Sequence, residues 1–291
     1  MADVSSKIVT QRLALTGVPA SAPLNPLLPG MPAVDSIHDD KTTITPTPGG
    51  PTYRILKTTE VDAYENTDAA MAFRNALSTK GGPTPQAIAA ADQLPVAKKK
   101  PAPGLGPDDF AGNDRKVAKL SIASGPSKTF ADVSELIADL PSVDEMIALN
   151  IPTAPDSNRV AQENRNVHVT GFLYAASREA DNDFHFIVGR DPKSGQEMYM
   201  TMELSGLPPT NLPAFGALNA ARQAYAKFIG AANLPGAGYH YYQPPIPVQI
   251  DGSVFFDATH SSGSRPGPQS LKSRMPTIFE VHPISKIVLG P

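Results

Sequence analysis

Apolar and polar positions alternate with a period of two along 166–176. Val167, Val169, Gly171 and Leu173 fall on one face there, and His168, Thr170, Phe172 and Tyr174 on the other, the pattern of a strand with two chemically distinct sides. The alternation returns in 183–189, where Asp183, His185 and Ile187 oppose Phe184, Phe186 and Val188. It returns again in 197–204, where Met198, Met200 and Met202 alternate with Tyr199, Thr201 and Glu203. A polar link, 177–182, and the turn Asp191-Pro192-Lys193-Ser194-Gly195 separate the three. The period then lengthens. Leu218, Ala221, Tyr225, Phe228 and Ile229 share one helical face in 211–229, and Gly230 is placed to end that helix. Two more strand patterns follow, 246–256 and 276–289. Three strands, a helix and two strands predict an OB-like five-stranded barrel, the small scaffold of oligonucleotide- and oligosaccharide-binding domains. A plain antiparallel sheet with a helix across one face is the competing arrangement. The fold class is mainly β with helical additions.

The earlier part of the chain is patterned differently. Pro19, Pro23, Pro26, Pro29, Pro32, Pro46, Pro48 and Pro51 punctuate 1–52, and proline at this density predicts an extended, polyproline-like arm over 17–51. Leu13, Leu15, Leu24, Leu27, Leu28 and Met31 make that arm more apolar than a free linker requires. The stretch 53–107 reads as short helices and linker. A strand is expected over 53–61, helices over 68–78 and 85–94, and a solvated hinge at Lys98-Lys99-Lys100 among prolines. A helical addition to the barrel is expected over 108–164. Thr129 opens a helix striped by Phe130, Val133, Leu136, Ile137 and Leu140, and Ser142 with Glu145 forms a capping box for 143–149. The segment 151–164 reads as polar loop, and the barrel domain as 165–291.

Composition narrows the function classes. The chain has 291 residues, 41% hydrophobic and 18% charged, and no cysteine, which excludes disulfides, thiolate metal sites and cysteine nucleophiles. No run approaches the roughly 18 apolar residues of a membrane span. No signal peptide is evident, so a cytoplasmic protein is expected. Net charge is −3, with 14 basic and 17 acidic residues in the first 150 and 11 of each after them. Neither part is the basic module that phosphate binding calls for, so nucleic acid is an unlikely partner.

Three short runs carry a resemblance. Asp183-Phe184-His185, the run from Gly252 through Phe255-Phe256-Asp257 to His260, and Glu280-Val281-His282-Pro283-Ile284 resemble motifs of a family of uncharacterised bacterial proteins with an OB-like domain. Members show an Asp-x-His, an acidic residue in the next strand, a Phe-Phe-Asp-x-x-His and a Glu-x-His-Pro. The resemblance covers the barrel and not the arm. It implies the fold and the importance of those positions, and it implies no reaction. Ser261-Ser262-Gly263-Ser264-Arg265 follows His260 here, where the relatives often carry a shorter glycine-rich stretch.

Asp183, His185, Glu203, Asp257, His260, Glu280 and His282 form the dense set of acid and imidazole groups. Alternation puts Asp183 beside His185, and Glu280 beside His282, on one face of each strand. Such pairs serve in a buried polar network that fixes register. They also suit a divalent metal, or a base and its orienting partner in hydrolysis. No nucleophile elbow, phosphate loop or dinucleotide fingerprint accompanies them. A second candidate set is Tyr239, Tyr241 and Tyr242, able to stack a base or sugar, with Arg265, Lys272 and Arg274 of the loop between the last two strands.

These readings lead to a noncatalytic binding or assembly protein, whose arm docks on a protein partner or a neighbouring subunit of a homo-oligomer. The alternatives are a metal-dependent, phosphodiesterase-like hydrolase using the histidine and carboxylate set and, more weakly, single-stranded nucleic-acid binding.

Overall fold

The computed structural model describes residues 30–62, 106–258, 260 and 266–291. Most of the arm (1–29), the helices expected over 68–78 and 85–94, the lysine hinge and Arg265 lie outside the described residues. Eight strands form one mixed sheet: β1 (Ile37–Ile44), β2 (Tyr53–Thr58), β3 (Ser127–Phe130), β4 (Asn166–Arg178), β5 (Phe184–Gly189), β6 (Tyr199–Leu204), β7 (His240–Phe256) and β8 (Phe279–Leu289). Among them lie a short helical turn, α1 (Lys116–Lys119), and the helices α2 (Val133–Asp139), α3 (Val143–Ala148) and α4 (Phe215–Ile229). No helix of the described residues is long and apolar enough to cross a membrane.

The strand order is β1-β2-β7-β8-β6-β5-β4-β3, and β4 also pairs with β7. The links β4–β5–β6–β8–β7–β4 therefore form a ring. All are antiparallel except β6–β8, which is parallel. β4 and β7 are long enough to serve several neighbours each. The β4–β7 ladder shifts register between Leu173, opposite Ile246, and Ala175, opposite Tyr241. Pro244 and Pro245 fall in that gap, where the missing N–H breaks no rung. This is why β7 runs from His240 rather than from 246 as expected. Near its other end, a Cβ on Gly252 would lie 2.5 Å from Val281 Cγ1 and 2.7 Å from the Pro283 carbonyl oxygen. Only glycine lets β7 and β8 approach this closely.

Two expectations upstream are corrected. Residues 37–44 are not polyproline-like arm: no proline stands between Pro32 and Pro46, their N–H groups are free to ladder, and β1 pairs with β2 at the sheet edge. The strand expected from Tyr53 is present as β2, joined to β7. The helix expected from Thr129 starts later. Ser127 to Phe130 pair in parallel with β4, and Asp132 caps α2 by accepting the Ser134 N–H at 2.6 Å. The capping box of Ser142 and Glu145 forms as the sequence predicts.

Alternation decides what each face carries. Val167, Val169, Leu173, Phe184, Phe186, Val188, Met200, Met202, Val254, Phe256 and Val281 enter one apolar core, on which α4 lays Ala221, Tyr225 and Ile229. Burying each large apolar side chain contributes about 1.5–3 kcal/mol. The residues between them, Asp183, His185, Glu203, Phe255, Asp257, Glu280 and His282, face the other way.

The chain from 106 to 123 is fastened over that other face. Phe110 N–H donates to the Leu207 carbonyl and Ala111 N–H to that of Asp181, each at 2.9 Å. Arg115, with φ of 48°, turns its guanidinium inward onto Glu163, with Nη1 to Oε1 at 2.7 Å and Nη2 to Oε2 at 2.6 Å. Nη1 also donates to the Phe256 carbonyl at 3.1 Å. Both side chains are buried. A forked, charge-assisted pair of this kind is costly to break from one side, since the remaining charge is left dry. Arg115→Ala should lower the unfolding free energy by about 3–5 kcal/mol, read from urea denaturation, and replacing Arg115 and Glu163 together by methionine should cost markedly less.

His240, at the start of β7, carries a pH signature. Burial first, then the Lys57 charge, depress its imidazole to about 4, against the weak support of the Asn233 carbonyl. The folded chain thus refuses a proton that the unfolded chain takes near the ordinary value of 6.5. Stability is therefore lost as pH falls from about 6.5 to about 4, by a contribution of order 3 kcal/mol. His240→Gln should remove that part of the acid sensitivity, measured as a smaller decline of unfolding free energy between pH 7 and pH 4.5.

Candidate metal centre

Strand register assembles the centre. β5 pairs with β6 so that His185 stands opposite Glu203, and β6 runs parallel to β8 with Thr201 opposite Glu280. β7 pairs with β8 through Phe255 and Glu280, which brings Asp257, just past the strand, alongside. Four separate strands thereby aim acids and imidazoles at one region of the sheet face opposite the apolar core.

His282 lies at its middle, fully buried, with carboxylates on both edges of the ring. Nδ1 is 2.6 Å from Glu203 Oε2 and 3.5 Å from Glu280 Oε2, and Nε2 is 3.4 Å from Asp183 Oδ2. None of these contacts has hydrogen-bond geometry: both His282 nitrogens, Asp183 Oδ2, Glu203 Oε2 and both Glu280 oxygens are buried without a hydrogen-bond partner. The other Asp183 oxygen accepts the Gly206 N–H. Buried polar atoms are ordinarily satisfied, and each that is not costs about 1–3 kcal/mol.

His185 is differently placed. Its Nδ1 shares a hydrogen bond with Glu179 Oε1 at 2.6 Å and lies 3.2 Å from Glu203 Oε1. Its Nε2 reaches Thr201 Oγ1 at 3.4 Å and stands 3.8 Å from Asp62 Oδ2. Asp62 in turn accepts from Gly267 N–H and Tyr239 Oη. His185 therefore belongs to a satisfied network that holds Glu203 from behind. Asp257 and His260 make a third group, Oδ2 to Nε2 at 3.4 Å. In each of three sets, Asp62/Glu179/His185, Asp183/Glu203/His282 and Asp257/His260/Glu280, one ligand atom per residue lies within 4.8 Å of the others.

The charges are far from balanced. Burial, and then neighbouring carboxylates, push Glu179, Asp183 and Glu280 well above the usual carboxylate range. Burial also works against Glu203, yet His282, His185 and Lys119 hold it well below that range. Desolvation depresses His282, with the neighbouring Glu203 pulling the other way. Lys119 comes in from α1, 3.8 Å from Asp181, and the surrounding acids overcome burial to keep it charged.

All seven residues expected to form the acid and imidazole site are thus brought to one face. Of the second candidate set, Tyr239 and Tyr241 pack with Leu271 and Met275 of the stretch that carries Lys272 and Arg274, whereas Tyr242 joins the main core. Tyr239, Tyr241 and Tyr242 belong to β7 and its entry rather than to an open loop, and all three are buried. Tyr241 Oη is held by Glu60 and Ser270, and Tyr242 Oη pairs with Tyr225 Oη at 2.7 Å on the core side. Arg274 is engaged by Glu197 at 2.6 Å, and Lys272 lies in the same short 3-10 turn. Sequence reasoning missed Asp62, Lys119, Glu179 and Asp181. The last two stand in the link 177–182, where the period-two run Asp181-x-Asp183-x-His185 carries the signal. Nothing local marks Asp62 or Lys119.

No family model matches the chain, and no curated protein or solved structure matches it at a significant level.

A carboxyl whose folded-state pKa is raised stabilises the fold while protonated and loses that contribution as pH rises through the raised value. In the presence of a chelator, Glu280→Gln should therefore raise Tm above that of the unchanged chain at pH 8. The difference should shrink towards zero by pH 5, as followed by thermal denaturation.

Proposed function

We propose that this chain is a noncatalytic, divalent-metal-binding protein built on an OB-type barrel. Three strands, a helix and two strands, with the first strand paired to the second and fourth and the third parallel to the fifth, support reading the ring as such a barrel.

One observation carries the metal reading. One ligand atom each of Asp183, Glu203 and His282 lies within 4.8 Å of the others, all three side chains are buried, and Asp183 Oδ2, Glu203 Oε2 and both His282 nitrogens lack a partner of hydrogen-bond geometry. Hydrogen-bonded networks aim N–H groups at acceptors, whereas ligands aim lone pairs at a shared point. A cation there would satisfy the orphaned atoms and offset the surplus of carboxylates. One ring nitrogen of His282 would serve as its third ligand beside the Asp183 and Glu203 carboxylates. A mixed imidazole and carboxylate set suits Zn²⁺ or Mn²⁺. The burial of all three ligands favours a closed site that braces strands and supports binding over one that turns over substrate.

Elemental analysis of the purified chain should find a first-row divalent metal, and Asp183→Asn should lose it. Added to metal-free protein at about 100 times its Kd, the ion should contribute about 2.7 kcal/mol of stability. Absence of bound metal together with no thermal shift in excess Zn²⁺, Mn²⁺ or Mg²⁺ would sink the reading.

A further inference from the structure

Glu280 is not accounted for by a single ion. It is fully buried, and neither of its carboxylate oxygens accepts a hydrogen bond. One oxygen, Oε2, stands 3.5 Å from His282 Nδ1, at the edge of the group just assigned. The residue also belongs to the Asp257 and His260 group, whose ligand atoms lie within 4.8 Å of one another. Backbone geometry builds that second group deliberately. Phe255 pairs with Glu280 and Phe256 with Phe279, so Asp257 emerges beside the start of β8. The His260 N–H then donates to the Asp257 carbonyl at 3.1 Å, which folds the imidazole back to 3.4 Å from the Asp257 carboxylate.

We propose that the centre takes two divalent cations, the second held by Asp257, His260 and Glu280, with the Glu280 carboxylate shared between the ions. This rests on the metal reading above. A carboxylate with both oxygens free of hydrogen bonds and one group of ligands on either side is suited to bridge ions about 3.5–4 Å apart. The two positions differ in access. The Asp183 and His282 side chains are 0% exposed, whereas Asp257 and His260 retain 10% and 14%. The second ion is thus the solvent-side, exchangeable one, and it takes first-row divalent cations such as Mn²⁺ or Zn²⁺.

The test is to load metal-free full-length chain with Mn²⁺ and read stoichiometry by equilibrium dialysis with elemental analysis, and electron paramagnetic resonance of the same samples. The expected result is about two ions per chain with an exchange-coupled spectrum. His260→Gln and Asp257→Asn, both near the surface end of the centre, should each leave about one ion and an uncoupled six-line spectrum. One ion per unchanged chain overturns the second site. If that single ion survives Asp257→Asn but is lost in Asp183→Asn, the first reading stands alone. No bound ion overturns both.

Discussion

The fold is arranged around a dry surplus of negative charge. Asp62, Glu179, Asp181, Asp183, Glu203, Asp257 and Glu280 gather on one sheet face, and Lys119 is the ammonium group brought in against them. Moving a single unpaired carboxylate out of water is already expensive. A group of this size therefore needs protons, imidazoles or cations as partners, and it needs a lid that keeps its geometry once they are in place. The segment 106–123, the residues 60–62 and the stretch 266–275 supply that cover from three distant parts of the chain.

The two faces of the sheet divide the work. The inner face and α4 form an apolar core with interdigitated rings, such as Phe186 against Tyr225 at 4.7 Å between centroids. It sets strand position by packing alone. The outer face inherits the register so fixed. A one-residue slip in β5 or β8 would turn Asp183, His185, Glu280 and His282 into the core and expose phenylalanine and valine in their place. The polar centre is in this sense positioned by hydrophobic contacts it does not touch.

That division explains what the sequence disclosed. Period two, visible in any strand, put Asp183 with His185 and Glu280 with His282 on common faces and separated them from Phe184 and Val281; the structure keeps both assignments. The order of strands and helix was equally legible, because α4 switches the period plainly. Contacts over long separations were not. Asp62 meets Gly267 and Tyr239, and Arg115 meets Glu163 across a segment that reads as polar loop. No local pattern announces either. The start of β7 was hidden because aromatic residues beside proline look like a loop, while the shifted ladder at Leu173 absorbs Pro244 and Pro245 within the strand.

Arg159 binds the cover to the sheet more tightly than a loop ordinarily is. Its guanidinium donates to the carbonyls of Ala118, Ser121, Val254 and His282, and so spans the covering segment, β7 and β8 at once. Lifting the covering segment means giving up the Arg159 bonds to Ala118 and Ser121, made by the same guanidinium that holds Val254 and His282, which couples its opening to that of the strands beneath. In cooperative terms Arg159 ties lid and sheet floor together, although 135 residues separate Ser121 from Phe256 at the end of β7.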